Sequence, residues 1–232
     1  MTQTLTGISS MATRLLLQEI TAAYTRDTGV SVAIESVGGV DAAKRVQAGE
    51  PFDLVVLASD AIDKLAASGH VVAGSKVDVA RSGVAIAVRA GASHPAIDTE
   101  DALRTAVRAA RTIGFSTGPS GVALAKLFER WGIADEVKAK IVTAQPGIPV
   151  GSLVAQGDVE LGFQQLSELL HVQGVDVLGP LPAAVQIVTT FSAGACAAST
   201  QPDAVRALLA YLGSPATAEA KRRQGMEPAT HA

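Results

Sequence analysis

The chain has 232 residues, 48% of them hydrophobic, with 19 basic and 22 acidic side chains and a formal net charge of -3. That is enough chain for one large or two small domains with a real core, and it is too apolar for a disordered protein. The charges form no basic stripe, which argues against a nucleic-acid partner, and no apolar run approaches the roughly 20 residues of a membrane-spanning helix, so no membrane insertion is expected.

From the N-terminus, a strand over 5–8 leads through Ser9-Ser10 into a helix over 12–25, marked by Ala12, Leu16, Ile20 and Ala23 at helical spacing. Gly29 is placed to stop that helix, and a second strand follows over 30–34. Further strands are predicted over 53–57, 83–88, 113–115, 161–164, 175–177 and 186–190. Helices are predicted over 41–48, 61–68, 99–109, 120–131, 151–156, 167–169, 202–212 and 216–224. Short β-branched strands alternating with Ala- and Leu-rich helices specify an α/β fold with a largely parallel sheet. The strands divide into two lobes, 1–81 with 187–232 and 82–186. Two extended crossings join them, one around 81–88 and one around 185–191, so that the lobes would hinge about a ligand held in a cleft between them.

Glycine or serine clusters fall where helices begin: Ser9-Ser10, Gly38-Gly39-Val40, Ser116 to Gly121, and Gly147 to Ser152. Glycine permits close backbone approach, and each helix N-terminus attracts an anion by about 0.3–1 kcal/mol. Several together would bind an oxyanion or carboxylate without a lysine, although each taken singly is also an ordinary cap or turn. The 116–131 segment is the most specific. Pro119 is preset for a first helical turn, Ser120 can cap or contact a ligand, and Gly121 keeps the approach open. The segment lacks the lysine and spacing of a nucleotide-binding loop.

Other reactive side chains carry less. Cys196 is the single cysteine, so no intrachain disulfide or Cys-rich metal site can form, and its small apolar flank reads as a buried structural thiol. His70, His94, His171 and His231 lack metal-ligand spacing, and His231 sits in a tail expected to fray. No metal and no cofactor are called for.

In order along the chain, several pieces resemble the type II periplasmic-binding-protein fold. They are the opening strand with Ser10-Met11, the run Arg45 to Asp53, Pro119-Ser120-Gly121 with Ala125-Lys126 and Trp131-Gly132, Leu153-Val154 with Gly157, Leu161-Gly162, and the closing Tyr211-Leu212 and Ser214-Pro215. The resemblance is strongest to the molybdate-binding subgroup of ABC-transporter solute receptors, which includes aconitate-isomerase-like members. It implies two mixed sheets flanked by helices and an oxyanion cleft at Ser10, at Gly39 or Val40, at Ser120, near Gly147 and at Gln165. Ser9, Gly121 and Gln164 flank these positions. Where molybdate receptors place a second serine and a tyrosine, this chain has Gly39-Val40 and Gln164-Gln165, a change that favours a larger, planar carboxylate. Arg81 at the first crossing could fork onto such a carboxylate.

Two functions remain open. One is a cofactor-independent isomerase that shifts the double bond of an unsaturated carboxylic acid. Its catalytic base is unassigned, with Asp41, Lys44 and Glu168 as positional candidates. The other is a solute-binding protein that delivers a small anion to a transporter permease. The N-terminus lacks the charged and apolar regions of a signal peptide, which predicts a cytoplasmic protein, or a periplasmic one if a native leader has been removed.

Overall fold

The computed structural model describes residues 4–229, and His231 lies outside them. These residues form two units, one holding the chain up to Ser82 and again from Thr190, the other Gly83–Thr189. The first unit opens with β1 (Thr4–Ser10), α1 (Arg14–Thr28), β2 (Ser31–Val37), α2 (Gly39–Gln47), β3 (Leu54–Ala58) and α3 (Ser59–Ala67). Strand β4 (Val77–Arg89) carries the chain into the second unit, which contains α4 (Glu100–Ala109), β5 (Ile113–Ser116), α5 (Pro119–Arg130) and α6 (Ala134–Val137). It continues with β6 (Ile141–Ala144), α7 (Val150–Gln156), β7 (Leu161–Gln165), α8 (Leu166–Leu169) and β8 (Val175–Pro180). Strand β9 (Val188–Ala195) returns to the first unit, followed by α9 (Pro202–Gly213), α10 (Ala218–Arg223) and β10 (Glu227–Pro228).

In the first unit β1 lies between β2 and β3, parallel to both, and β9 runs antiparallel to β3. Strand β3 is buried along its whole length, as its uninterrupted Leu-Val-Val-Leu-Ala sequence requires of a central strand covered on both faces. Leu54 and Val56 pack with Leu16, Leu17 and Ile20 of α1, while Val55 and Leu57 pack with Val46 and Ile62 of α2 and α3. Helix α1 ends at Gly29, whose φ of 77° places it in the left-handed region and whose N–H returns to the Thr25 carbonyl. Cys196 is buried in the α2–α3 cluster, and desolvation together with the nearby Asp53 carboxylate pushes its thiol up to about 12, which fits an inert structural role.

In the second unit β5 lies between β6 and β7, parallel to both, while β4 runs antiparallel to β7 and β8. Its core joins Ile86, Ile113, Phe115 and Phe163 to Leu124 and Phe128 of α5. Burying each such side chain contributes about 1.5–3 kcal/mol.

The elements depart from the sequence expectations in several places, β10 among them. Residues 11–13 form a 3-10 turn, so α1 starts at Arg14 instead of residue 12; the Thr13 hydroxyl donates back to the Ser10 carbonyl and holds that turn. Strand β4 spans thirteen residues; its first half lies beside β9, and Ala80 and Arg81 pair with Pro228 and Glu227 of β10. Strand β9 runs on through Ser192-Ala193-Gly194-Ala195, whose small side chains carry little strand propensity but fit beside β3. Strand β6 and the short α6 have no counterpart in the sequence reading, being too brief to show a period.

Candidate functional site

Ligands of parallel α/β sheets gather outside the carboxyl ends of the strands, where the loops into the helices converge. In the first unit, register sets Ser9 beside Ser36 and Val56, and Ser10 beside Val37. The Ser9 and Ser36 hydroxyls are hydrogen-bonded to one another at 2.8 Å, so Ser9 is committed to joining β1 and β2. Ser10 is 8% exposed, and its hydroxyl has no hydrogen-bond partner. It does not cap the turn that follows. An unpaired buried hydroxyl costs about 1–3 kcal/mol, and a ligand that bonds to it would recover that energy.

Helix α2 begins two residues beyond β2, capped by Gly38 without any side-chain bond. A Cβ added at Gly39 would lie 3.7 Å from the Ser10 Cβ, so the bare Cα of Gly39 faces Ser10 and leaves room above it. Val40, the next residue, is 56% exposed, an unusual position for a valine on the first turn of a helix. The sequence candidates Ser10, Gly39 and Val40 therefore meet at one corner. Arg81 is exposed on β4 opposite Glu227 of β10, and among the described residues no hydrogen bond or ion pair ties it to that corner. Its neighbour Ser82 is 1% exposed with an unpaired hydroxyl, a residue the sequence reading passed over. With Asp78, Arg81 and Arg89 on the same strand, nothing in the residue order set Ser82 apart.

In the second unit, β5, β6 and β7 end together at Ser116, Ala144 and Gln165. Ser120 is buried on the first turn of α5 and makes no cap. Gly121 has a different role from the open approach read in the sequence. A Cβ there would fall 1.7 Å from the Ser116 carbonyl oxygen, so the glycine is required for α5 to pack against the end of β5. Gly147 occupies an exposed turn with φ of 81° between β6 and α7.

The adjacent glutamines divide their work. Gln164 uses both ends of its amide: Oε1 accepts from the Val150 N–H at 3.0 Å, and Nε2 donates to Glu168 Oε1 at 2.9 Å. Gln165 donates through Nε2 to the Thr189 hydroxyl at 2.9 Å, while its Oε1 is buried without a partner. Because the Thr189 hydroxyl can donate or accept, the free end of this amide can present either an oxygen or an NH2 group. Glu168 is half-buried, and desolvation raises its carboxyl to about 7 against the lowering effect of the Gln164 bond. The other positional candidates, Asp41 and Lys44, are exposed on α2. Among the described residues no group of three or more His, Cys, Asp or Glu is arranged to hold a metal ion.

The run Arg45 to Asp53 has a structural function. Arg45 forks onto both Glu35 and Glu50 and lies over the Phe52 ring at 5.2 Å, and Asp53 anchors β1.

A family model described as bacterial extracellular solute-binding protein matches residues 5–227. Aconitate isomerase from Pseudomonas sp is 39% identical over 231 residues, spanning 97% of this chain and 88% of that protein. Molybdate-binding protein ModA from Azotobacter vinelandii is 28% identical over 158 residues, 66% of this chain and 61% of that protein. The solved structure of the Azotobacter vinelandii periplasmic molybdate-binding protein superposes with a TM-score of 0.81 at 19% identity, covering 97% of this chain and all of that one. The two-lobed periplasmic-binding fold and the resemblance to the molybdate-binding subgroup with its aconitate-isomerase-like members are thus borne out. The cytoplasmic placement is not supported, since the family is described as extracellular. No helix among the described residues is long and apolar enough to cross a membrane.

Proposed function

Since the chain belongs to the bacterial extracellular solute-binding protein family, we propose that it binds a small unsaturated polycarboxylate and shifts its double bond, acting as an aconitate isomerase. The observation that carries this reading is the 39% identity to aconitate isomerase across 97% of the chain. The site chemistry agrees with it. In the first unit the α2 N-terminus supplies backbone N–H groups for a carboxylate, Ser10 an unpaired hydroxyl and Val40 apolar surface; in the second unit the α5 N-terminus supplies backbone N–H groups and Gln165 the free end of its amide. Moving a double bond by one carbon is a proton transfer with no net oxidation, so these residues need no redox partner. Val40 offers no hydrogen-bond donor in its side chain and Gln165 offers an amide, a pairing that suits a carboxylate on a carbon skeleton better than a compact tetrahedral oxyanion.

Incubation with trans-aconitate in deuterated water, followed by NMR, tests the reading. Isomer formation with deuterium entering the allylic carbon is expected, and neither appearing would overturn it.

A second reading, an extracytoplasmic receptor that delivers a small oxyanion to a transporter permease, is favoured by the unpaired Ser10 hydroxyl beside Gly39 and by the molybdate-binding relatives. Calorimetry with molybdate, tungstate and sulfate separates the two; tight oxyanion binding without turnover of aconitate would establish the receptor.

A further inference from the structure

From the position and contacts of Glu168, we infer that this residue is the acid–base catalyst of the double-bond shift, an assignment that rests on the isomerase reading above. Glu168 follows directly on the carboxyl end of β7, three residues after the unpaired amide oxygen of Gln165. It therefore stands at the same strand end as Gln165, whose buried amide is bonded to Thr189 at one end and unpartnered at the other. Gln164 orients it: the amide is anchored at one end by the Val150 N–H and at the other holds Glu168 Oε1, which fixes one carboxylate oxygen and leaves Oε2 free to meet a proton.

The surroundings suit that task. Helix α8 packs against β7, β8 and α7. Neither α7 nor β7 contains a titratable side chain, and β8 contributes Asp176, whose carboxylate is engaged by the Gly91 N–H and by His94. His171, just past α8, is exposed. No cation therefore lowers the carboxyl, and burial keeps its basicity high against the single opposing bond from Gln164. A carboxyl poised near neutrality both accepts and returns a proton efficiently, whereas an ordinary glutamate is a weak base.

The step balances without a co-reactant. The Glu168 carboxylate takes a proton from the methylene carbon of the substrate, and the electron pair of that C–H bond becomes the new π bond. The old π pair is carried onto the far carbon, with the negative charge of the intermediate spread into the adjacent carboxylate. The protonated Glu168 then delivers its proton to the far carbon, so one C–H bond breaks, one forms, and the carboxylate is regenerated. Deuterium from solvent enters whenever the carboxyl exchanges before returning its proton.

The test compares wild-type protein with Glu168→Gln, Glu168→Asp and Gln164→Leu, using trans-aconitate. Turnover and deuterium uptake are read by NMR, and affinity by calorimetry. Glu168→Gln is expected to bind aconitate within about threefold of wild type and to lose turnover and exchange by about 10²–10⁴-fold. Glu168→Asp should retain a part of the activity. For the wild type, kcat/KM should rise with pH through about 7, and Gln164→Leu, which removes the one bond that lowers the carboxyl, should move that rise to higher pH. Should Glu168→Gln fold poorly, the shifted profile of Gln164→Leu decides instead. Full turnover in Glu168→Gln, or an unmoved profile in Gln164→Leu, overturns the assignment while leaving the isomerase reading intact. A wild-type protein inert toward aconitate overturns both.

Discussion

Asp53 Oδ2 accepts the Thr6 backbone N–H at 2.8 Å while the Asp53 N–H donates to the Thr6 carbonyl at 2.8 Å, so a side chain extends the β1–β3 ladder by one rung. The other carboxylate oxygen accepts from the Ser199 hydroxyl at 2.6 Å, tying in the segment beyond β9. Asp53 is 6% exposed. Asp53→Ala removes the acceptor from the Thr6 N–H and the Ser199 hydroxyl, both part-buried bonds, and is expected to cost about 1–3 kcal/mol. Asp53→Asn keeps an acceptor and should cost about 1 kcal/mol. Urea unfolding measures both, and the difference between them isolates the charged acceptor from the packing.

Stability should fall as pH rises from about 4.5 to about 7. The folded protein holds Glu168 protonated to about 7, against an ordinary value of 4.5. Over that window the unfolded chain releases a proton that the folded one keeps, so unfolding is favoured progressively and then levels off above 7. The full effect is about 3 kcal/mol. Carboxyls lowered by partners, such as Glu19 with Gln224 and Arg223, act with the opposite sign and below the ordinary carboxylate range. Glu168→Gln should flatten the profile and leave the protein more stable than wild type at pH 8, as read from urea midpoints at pH 5 and pH 8.

Much of this was legible in the sequence because it rests on local patterns. The helical stripe 16–20 and the uninterrupted apolar run of β3 write their burial directly into residue order. Ser10 and Gly39 could be named as candidates because hydroxyls and glycines at strand-to-helix junctions suit an anion, although the same residues also serve as caps and turns. What could not be read was commitment. Gln164 and Gln165 are identical neighbours, and only the fold shows that Val150 and Glu168 saturate the first while the second keeps one end free. Gly121 looked like an opening for ligand because the carbonyl that fills its place comes from Ser116, at the end of β5. Glu168 could be named only as a positional candidate because its burial arises when α8 packs against β7, β8 and α7, which the residue order of a four-residue helix does not show.

Lys221 is 1% exposed, and its ammonium donates to the Leu212 carbonyl at 2.8 Å, near the C-terminus of α9. Burial lowers its amine to about 8 from 10.5. Because the folded amine gives up its proton before the unfolded one does, stability should increase as pH rises from about 8 to about 10.5. Lys221→Met fills most of the volume, removes the buried charge and should remove this alkaline increase. Lys221→Ala should cost about 2–4 kcal/mol through the space it leaves. Thermal melts at pH 7 and pH 9.5 distinguish the two.

Ser10→Ala and Gln165→Leu test whether the unpaired atoms are kept for a ligand. A polar group maintained for folding would, on removal, leave a partner stranded and destabilise the protein. The Ser10 hydroxyl has no partner to strand, so Ser10→Ala is expected to leave stability unchanged or raise it by about 1 kcal/mol. Gln165→Leu exchanges an unpaired buried oxygen for apolar surface at the expense of one bond to Thr189, and should change stability by less than about 1 kcal/mol. Affinity for the anionic ligand should respond very differently. A hydrogen bond to a charged group is worth about 1.5–3 kcal/mol, so each variant should weaken binding roughly 10- to 150-fold by calorimetry. Unchanged stability with weakened binding identifies both atoms as ligand contacts. Lowered stability with unchanged binding would assign them to the fold, and the half-sites at the ends of β1 and β7 would then lose their most specific polar groups.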